Sequence, residues 1–468
     1  MTQKIGRASF LLKMKGNQLN NLARGGPVQN FYMGSGILPT VENGQGVYLF
    51  DTTGKRYLDA SSGPVTCNLG HQNEAVLRAM QNQAEKVCFA SYNFFENKPN
   101  KILAEKLINL SGDNFDQAFF VSGGSEAIEA SFKLARQYAV SVGEKERHKV
   151  LARTPSYHGS TMGAFAASSD PQMENTFQKM SKVLPKIPVP FSYRLPQNYN
   201  VDTYAEYCAN EFERTIINEG PETILAFIIE PVGGLSTGAL IAPDFYYSRI
   251  RQICSKYGII LIYDEVMSGA GRTGSFLAAE HWSDAKPDLV VLAKGLCAGY
   301  SPLGAVISPN YIVDKVARDG GFLHGHTYAS NPLSCAIADA VLSEVSEKGL
   351  ILNAKNVGAY LKSGLEKLAQ NSHIVGDVRG KGLLLAVEIV SDKSTKEVFD
   401  KKYTAVYRLA EIGMKKGILI YTRKTANGIF GEWLMISPPL ISTIKETDLL
   451  LELLAETITT FEKETGLY

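Results

Sequence analysis

An apolar run that ends in two acids is the feature that most constrains the fold of this chain. Ile259, Ile260, Leu261 and Ile262 stand together, a pattern typical of a strand buried on both faces of a parallel sheet. Asp264 and Glu265 follow at the strand's C-terminal end, where open α/β sheets bind ligands. A second apolar stretch, residues 289–293, leads directly into Lys294. We therefore expect Asp264 and Lys294 at the same edge of one sheet.

An amine and a carboxylate at neighbouring strand ends suit the two ends of a pyridoxal ring. The amine of Lys294 would form an imine with the aldehyde, and Asp264 would keep the pyridine nitrogen protonated. A lysine at a strand end is more often a solvated charge, and Asp264 alone could cap the next turn. The pair by itself leaves both interpretations open.

Length, charge and cysteine usage exclude several classes of protein. The chain has 468 residues, enough for two domains with substantial cores. Its 48 basic and 47 acidic residues give no basic surface for nucleic acid or an anionic membrane. No apolar run approaches the roughly 20 residues of a membrane helix. The six cysteines form no CxxC pair, so we expect reduced core thiols in a cytoplasmic protein.

A glycine-rich turn follows the predicted strand of residues 117–121. Residues 122–127 read Ser-Gly-Gly-Ser-Glu-Ala and open a predicted helix. The free N–H groups at such a helix start bind phosphate, which makes Gly124 and Ser125 candidate contacts. A strand, turn and helix with serine as the N-cap would have the same pattern, so a simple cap stays open.

Two further predicted strands end in polar residues. The strand at residues 149–152 leads to Tyr157 and His158, and an aromatic ring at a sheet edge can stack on a planar ligand. His158 could equally satisfy backbone groups of its loop. The apolar run of residues 224–229 ends in Glu230, which is either a turn carboxylate or a site residue.

Three other patterns are interpreted as structural. Residues 269–274 match GxGxxG but lack the strand, tight turn and helix of a dinucleotide site, so they predict a turn carrying Arg272. His324 and His326 have no third ligand nearby, so we expect no metal. Residues 304–308 predict an antiparallel edge strand, and residues 333–371 predict one long helix.

The residues around Asp264 and Lys294 also carry a family resemblance. Residues 261–274, Leu-Ile-Tyr-Asp-Glu-Val-Met-Ser-Gly-Ala-Gly-Arg-Thr-Gly, followed by Lys294 and Gly295, resemble the signature of the class III (omega) aminotransferases. These are pyridoxal-phosphate enzymes of fold-type I. The resemblance extends from about Tyr48 to the C-terminus. It implies an α/β fold with a mostly parallel seven-stranded sheet in a large cofactor-binding domain, residues 66–340, and a smaller α/β domain built from residues 1–65 and 341–468.

The same resemblance implies roles for individual residues. It gives Lys294 the imine with pyridoxal 5'-phosphate, Asp264 the pairing with the ring nitrogen, and Tyr157 the outer face of the ring. Val266 would pack against the ring, and Thr327 would contact the cofactor phosphate of a neighbouring subunit, which implies a homodimer with shared active sites or a tetramer of such dimers. Thr327 could instead cap the following helix. The predicted cofactor contacts are Gly124, Ser125, Tyr157, His158, Glu230, Asp264, Val266, Lys294 and Thr327.

Three residues are the predicted substrate contacts. The loop that holds Val65 enters the substrate pocket in the family, and an aromatic segment that includes Tyr92 lies at the pocket mouth, although Tyr92 could belong to a packed connector. Many relatives carry a carboxylate-binding arginine where this chain has Met435 and Ile436. Arg423 is the nearest substitute, as a retractable carboxylate ligand or as a solvated loop charge.

The expected activity is a transamination. Lys294 would move the α-proton after an amino substrate displaces it from the cofactor. The amino group would pass between an amine or amino acid, with an omega-amino or amine donor preferred, and a 2-oxo acid such as pyruvate. Two alternatives stay open, namely a class III enzyme of another outcome (racemase, decarboxylase or phospho-lyase) and a non-catalytic binding relative.

Overall fold

The computed structural model of this chain describes residues 38–467. The described residues divide into two compact units, one of residues 38–43 and 50–55 and one of residues 44–49 and 56–467. In the small unit, the N–H of Thr52 donates to the carbonyl of Thr40 over 2.9 Å, and the N–H of Gly54 donates to the carbonyl of Asp51. Every residue predicted for the site belongs to the large unit.

The strands alternate with helices along much of the chain. In order, the strands are β1 (Val41–Gln45), β2 (Tyr48–Asp51), β3 (Arg56–Asp59), β4 (Gln117–Val121), β5 (Lys149–Thr154), β6 (Lys186–Pro188), β7 (Ile224–Ile229), β8 (Ile260–Asp264), β9 (Leu289–Leu292), β10 (Gly304–Ser308), β11 (Val375–Lys381), β12 (Leu384–Ile389), β13 (Ile418–Leu419), β14 (Tyr421–Thr425) and β15 (Gly431–Ile436).

The helices are α1 (Ser62–Val65), α2 (Glu74–Ala84), α3 (Lys98–Ser111), α4 (Gly124–Ser141), α5 (Met162–Ala167), α6 (Pro171–Phe177), α7 (Val201–Glu219), α8 (Asp244–Tyr257), α9 (Asn310–Arg318), α10 (Pro332–Glu347), α11 (Leu350–Asn371), α12 (Ala405–Lys416) and α13 (Ile444–Thr465). Short 3₁₀ turns lie between several of them, and one of these turns begins at Lys294.

The site is built on a seven-stranded sheet in the order β4-β10-β9-β8-β7-β5-β6. Strands β9, β8, β7, β5 and β6 run parallel, while β10 is antiparallel to both of its neighbours. The predicted α/β class with a mostly parallel seven-stranded sheet is confirmed. The prediction that residues 304–308 form an edge strand is wrong, because β4 pairs with the outer side of β10.

Both faces of this sheet are covered, which explains the continuous apolar runs of its strands. Alternate side chains of a strand point to opposite faces. On β8, Ile260 and Ile262 join one hydrophobic cluster, together with Ile128 of α4. Leu261 and Tyr263 join the cluster on the other face, which includes helices α7 and α8. The burial of both faces fixes the strand ends, where the polar residues stand.

The C-terminal third forms a second, antiparallel sheet in the order β11-β12-β15-β14, and β13 pairs in parallel with β3. The single helix predicted for residues 333–371 is two helices, α10 and α11, because Gly349 adopts a left-handed conformation between them. The predicted division into a large domain (66–340) and a small domain stays a prediction, and residues 1–37 of the latter lie outside the described residues.

The state of the cysteines and the apolar character of the helices were both predicted from the sequence. Within residues 38–467 every cysteine is a free thiol, and four of the six are buried. No helix in this range combines the length and the apolar character needed to cross a lipid bilayer.

Candidate active site

The carboxyl ends of five strands of this sheet surround one cavity of about 280 Å³. Residues at or just after the ends of β4, β5, β7, β8 and β9 all line it, because these five strands run in the same direction and deliver their carboxyl ends to one edge of the sheet. Asp264 and Lys294 both line this cavity, as the apolar runs predicted. So do Gly124, Ser125, Tyr157, His158, Glu230 and Val266.

Lys294 enters the cavity from the turn after β9. Its backbone has φ 46°, a left-handed conformation that is strained for a residue with a side chain. Burial lowers the pKa of its amine to about 8, although the negative charges of Asp264 and Glu230 oppose that shift. The amine can therefore exchange a proton near neutral pH, as a general base must.

The Asp264 carboxylate is held from two sides. Nδ1 of His158 donates to Oδ2 of Asp264 over 2.7 Å, and the N–H of Val266 donates to Oδ1 over 3.0 Å. Both side chains of the His158–Asp264 pair are buried. The N–H of His158 in turn donates to Ser168 Oγ over 2.7 Å. A carboxylate oriented in this way is prepared to hold a proton on a ligand atom within the cavity.

Glu230 is a third buried carboxyl group at this edge. Its Oε1 accepts from the N–H of Gly234 over 2.9 Å, while Oε2 has no hydrogen-bond partner among the described residues. Burial raises the pKa of Glu230, and the charge of Asp264 adds to that shift. Arg153 donates to the backbone carbonyl of Glu230 rather than to its carboxyl group. A buried oxygen without a partner in the protein is available to a ligand.

The start of α4 forms part of the cavity wall. Gly123 occupies the N-cap position and no side chain caps the helix there, so its first N–H groups are free for an anion. A Cβ on Gly124 would lie 3.2 Å from both methyl carbons of Val266. Ser125 Oγ accepts from the N–H of Ser160 over 3.0 Å. The glycine thus permits close approach of backbone, Val266 and ligand.

Four predicted residues do not line the cavity. Val65 is buried in the core, and its neighbour Thr66 lines the cavity instead, because Val65 has a left-handed backbone (φ 62°) that turns the chain. Tyr92 is exposed, as is Thr327. Arg423 forms an ion pair with Asp170.

Sequence reasoning missed several residues of the cavity wall. Met267 follows the predicted Val266 directly, so its position in the motif could have indicated it. Val232 and residues 301–303 reach the cavity through loops whose paths have no local sequence signal. The missed lining residues are Thr66, Ser122, Gly123, Gly159, Val232, Met267, Ala293, Ser301, Pro302 and Leu303.

Arg272 lies in the loop that follows Asp264, and its side chain anchors that loop to distant segments of the chain. The buried guanidinium donates to the carbonyls of Leu383, Ser437 and Pro438, and to Oδ1 of Asn68 over 2.6 Å. Arg272 therefore ties the loop to other segments and does not face the cavity.

The residues that line the cavity fit the chemical groups of pyridoxal phosphate. The cavity offers an amine for an aldehyde, a fixed carboxylate for a ring nitrogen and free helix N–H groups for a phosphate.

Comparison with known proteins gives the family. The sequence model of the class III aminotransferases matches residues 33–458. This chain is a class III aminotransferase.

Individual relatives agree with the family match. The uncharacterized aminotransferase YodT of Bacillus subtilis is 37% identical over 431 residues, which are 92% of this chain and 97% of YodT. The chloroplastic gamma aminobutyrate transaminase 3 of tomato, Solanum lycopersicum, is 34% identical over 87% of this chain and 78% of its own length.

A solved structure supports the same conclusion. The omega transaminase of Pseudomonas jessenii in complex with PMP superposes with a TM-score of 0.87 at 28% identity, covering 97% of this chain and 100% of that one. Class III aminotransferases depend on pyridoxal phosphate, so the cofactor of this enzyme follows from its family.

Within residues 38–467, no three His, Cys, Asp or Glu side chains lie close enough together to hold a metal ion.

Proposed function

We propose that this aminotransferase moves an amino group between an omega-amino acid or simple amine and a 2-oxo acid such as pyruvate. The observation that carries the proposal is one cavity lined by the Lys294 amine and by the His158-bound carboxylate of Asp264. The donor class is supported by the gamma aminobutyrate and omega transaminases among the relatives. The buried free thiols support a cytoplasmic setting.

Asp264, His158 and Lys294 would have different roles in the transamination. Bound pyridoxal phosphate supplies an electron-accepting ring for a substrate carbon that loses a proton. Asp264 holds a proton at the ring nitrogen, and His158 keeps its carboxylate oriented. Lys294 would take the proton from the substrate carbon that bears the amino group and deliver it to the carbon that was the cofactor's aldehyde, which its lowered pKa permits.

Other residues would bind and orient the cofactor. The free N–H groups of α4 at Gly124 and Ser125 suit its phosphate. Tyr157 and Val266 line the cavity from different loops and would pack on the ring. The unpartnered Oε2 of Glu230 is available to a polar group of the ring or substrate.

Arg423 is proposed as the carboxylate ligand of the substrate. Arg423 pairs with Asp170, which lies two residues after Ser168, and the Ser168 hydroxyl accepts from the backbone N–H of cavity-lining His158. Asp170 would hold the guanidinium when no substrate carboxylate is present. Such an exchange of partners suits a pocket that accepts both an amine and an oxo acid.

Thr327 supports a proposed homodimer with shared active sites. It is exposed and lies outside the cavity of its own chain. Large apolar side chains near it are also exposed, with Leu323 at 84% and Tyr328 at 60%. An apolar surface of this kind marks a protein interface.

Product analysis tests the reaction. The enzyme is incubated with pyruvate and a panel of amines, omega-amino acids and α-amino acids, and products are identified by mass. We expect alanine and the matching carbonyl product in equal amounts. A racemized donor, carbon dioxide or released phosphate without alanine would contradict transamination and indicate another class III outcome.

Replacement of Lys294 tests the mechanism. Lys294→Ala is expected to abolish turnover while the folded structure persists, as judged by circular dichroism. Borohydride treatment of the native enzyme, followed by peptide mass analysis, should place a pyridoxyl group on Lys294. Full activity in the variant, or label on another lysine, would overturn the role of Lys294. A folded wild-type protein that takes up no pyridoxal phosphate would favour the non-catalytic alternative.

A further inference from the structure

A second cavity, of about 450 Å³, shares no lining residue with the Lys294 cavity. Its walls come from three parts of the large unit. Residues 273–275 belong to the loop anchored by Arg272, residues 355–362 to helix α11, and residues 380–382 to the hairpin between β11 and β12. His281 and Leu385 complete the lining. The catalytic chemistry makes no use of this cavity.

Three lysines line this second cavity without any carboxylate among its lining residues. Lys355, Lys362 and Lys381 form no ion pair and no side-chain hydrogen bond with any residue between 38 and 467. Elsewhere on the enzyme, lysines such as Lys149 and Lys256 pair with glutamates. A concave wall that carries one sign of charge focuses the field and attracts counter-ions.

Two carboxylates near His281 accept hydrogen bonds from other groups. Asp244 accepts from the indole N–H of Trp282 over 2.8 Å, and Glu280 accepts from the N–H of Leu277 over 2.7 Å. The ammonium of Lys381 lies 5.9 Å from the Trp282 ring centroid. No carboxylate within residues 38–467 pairs with the three ammonium groups, so they can pair with an anionic ligand.

Close packing fixes the backbone of the segments that carry these lysines. A Cβ on Gly358 of α11 would lie 2.3 Å from backbone atoms of Gly382, and one on Gly274 would lie 3.0 Å from the Cβ of Lys355. Gly382 itself has a left-handed backbone with φ 56°. The helix, the loop and the hairpin thus meet without intervening side chains, so the cavity is formed before a ligand arrives.

Polar groups beside the lysines can complete an anion's contacts. The hydroxyl of Thr273 lies 3.2 Å from Nε2 of His281, and the hydroxyl of Ser275 has no hydrogen-bond partner in the described part of the chain. Burial, with the charges of Lys381 and Lys355, lowers the pKa of His281 to about 4. His281 is therefore neutral at physiological pH and the lysines carry the charge.

We propose that this cavity binds a small soluble anion with two or more negative charges on phosphate groups, through Lys355, Lys362 and Lys381 and the hydroxyl of Ser275. Three ammonium groups match several phosphate oxygens better than one carboxylate, because each can donate a charge-assisted hydrogen bond. The site neither needs nor alters the chemistry at Lys294.

Calorimetric titration of the holoenzyme with inorganic pyrophosphate tests the proposal. The cofactor fills the phosphate cradle of α4, so the added anion reports on the second cavity, and ionic strength is held constant with sodium chloride. We expect saturable binding of pyrophosphate that is tighter than binding of orthophosphate. Absence of saturable binding, or equal affinity for both anions, would overturn the proposal.

Matched variants locate the binding. Each lost ammonium contact should weaken binding by about tenfold, so Lys362→Gln/Lys381→Gln is expected to lower pyrophosphate affinity by about a hundredfold. Lys315→Gln on α9, outside the cavity, is the control and should bind like the native enzyme. Both should keep native transaminase activity without pyrophosphate. Unchanged affinity in the double variant, or an equal loss in the control, would contradict the site.

Discussion

At the scale of single residues, the burial of Lys294 has a consequence for stability. Its pKa is about 8 in the folded chain and 10.5 in an ordinary environment. Between these values the unfolded chain holds a proton that the folded chain lacks, so the free energy of unfolding rises with pH in that window. Below pH 8 both states are protonated and this contribution is constant.

A matched pair of cofactor-free proteins measures this effect. Relative to Lys294→Met, the free energy of unfolding of the native chain is expected to rise by roughly 3 kcal/mol as the pH rises from 8 to 10.5. Urea titrations at several pH values give the difference, since groups distant from Lys294 titrate alike in both proteins. A difference that stays flat over this window would show that the amine is solvated in the folded chain.

From the sequence, the charged residues of the site could be predicted better than the side chains that face the cavity. Lys294, Asp264 and Glu230 could be predicted because each ends an apolar run, and burial on both faces fixes where such a run stops. Val65 was predicted in place of Thr66 because a left-handed residue in a loop changes which side chain faces the cavity. No periodic pattern carries that information.

At the scale of elements, the start of α4 and the end of β8 constrain each other. A methyl group on Gly124 would lie 3.2 Å from both Val266 methyl carbons, closer than ordinary contact. Gly124→Ala is expected to destabilise the cofactor-free chain by about 1 kcal/mol. In a Val266→Ala background the same change should cost less, because the opposing methyl groups are gone. Thermal unfolding of the four proteins gives the coupling, and equal costs in both backgrounds would contradict the contact.

Elements with long apolar runs could be predicted, and those defined by tertiary pairing could not. Strands β7 and β8 follow from four or more consecutive apolar residues. Strand β6 has three residues and includes Pro188, so local propensity gives no signal for it. The position of β10 depends on pairing with β4, which lies more than 180 residues earlier, and sequence order does not determine such neighbours.

At the scale of the whole molecule, the proposed dimer makes a quantitative prediction about mixed protomers. Lys294→Ala and Thr327→Ala are each expected to have little activity. In a dimer with shared sites, a hybrid of the two contains one intact site, formed by Lys294 of one protomer and Thr327 of its partner. Co-expressed in equal amounts, the variants should recover about a quarter of native activity, since half the dimers are hybrids.

The mixed preparation is assayed against each variant alone at equal protein concentration. Sites confined to single protomers would give only the average of the two variants, which would contradict sharing. The exposed position of Thr327 is what makes the experiment informative, because its side chain lies outside the cavity of its own chain.

The anchoring of Arg272 bears on any redesign of this catalyst. Its bonds join residues 68, 383, 437 and 438, so an insertion or deletion in residues 269–275 would release several segments at once. An engineer who wants to admit bulkier molecules should leave this turn intact. Trimming Thr66, Met267 or Leu303, whose side chains line the Lys294 cavity, would enlarge the space without loosening the frame around it.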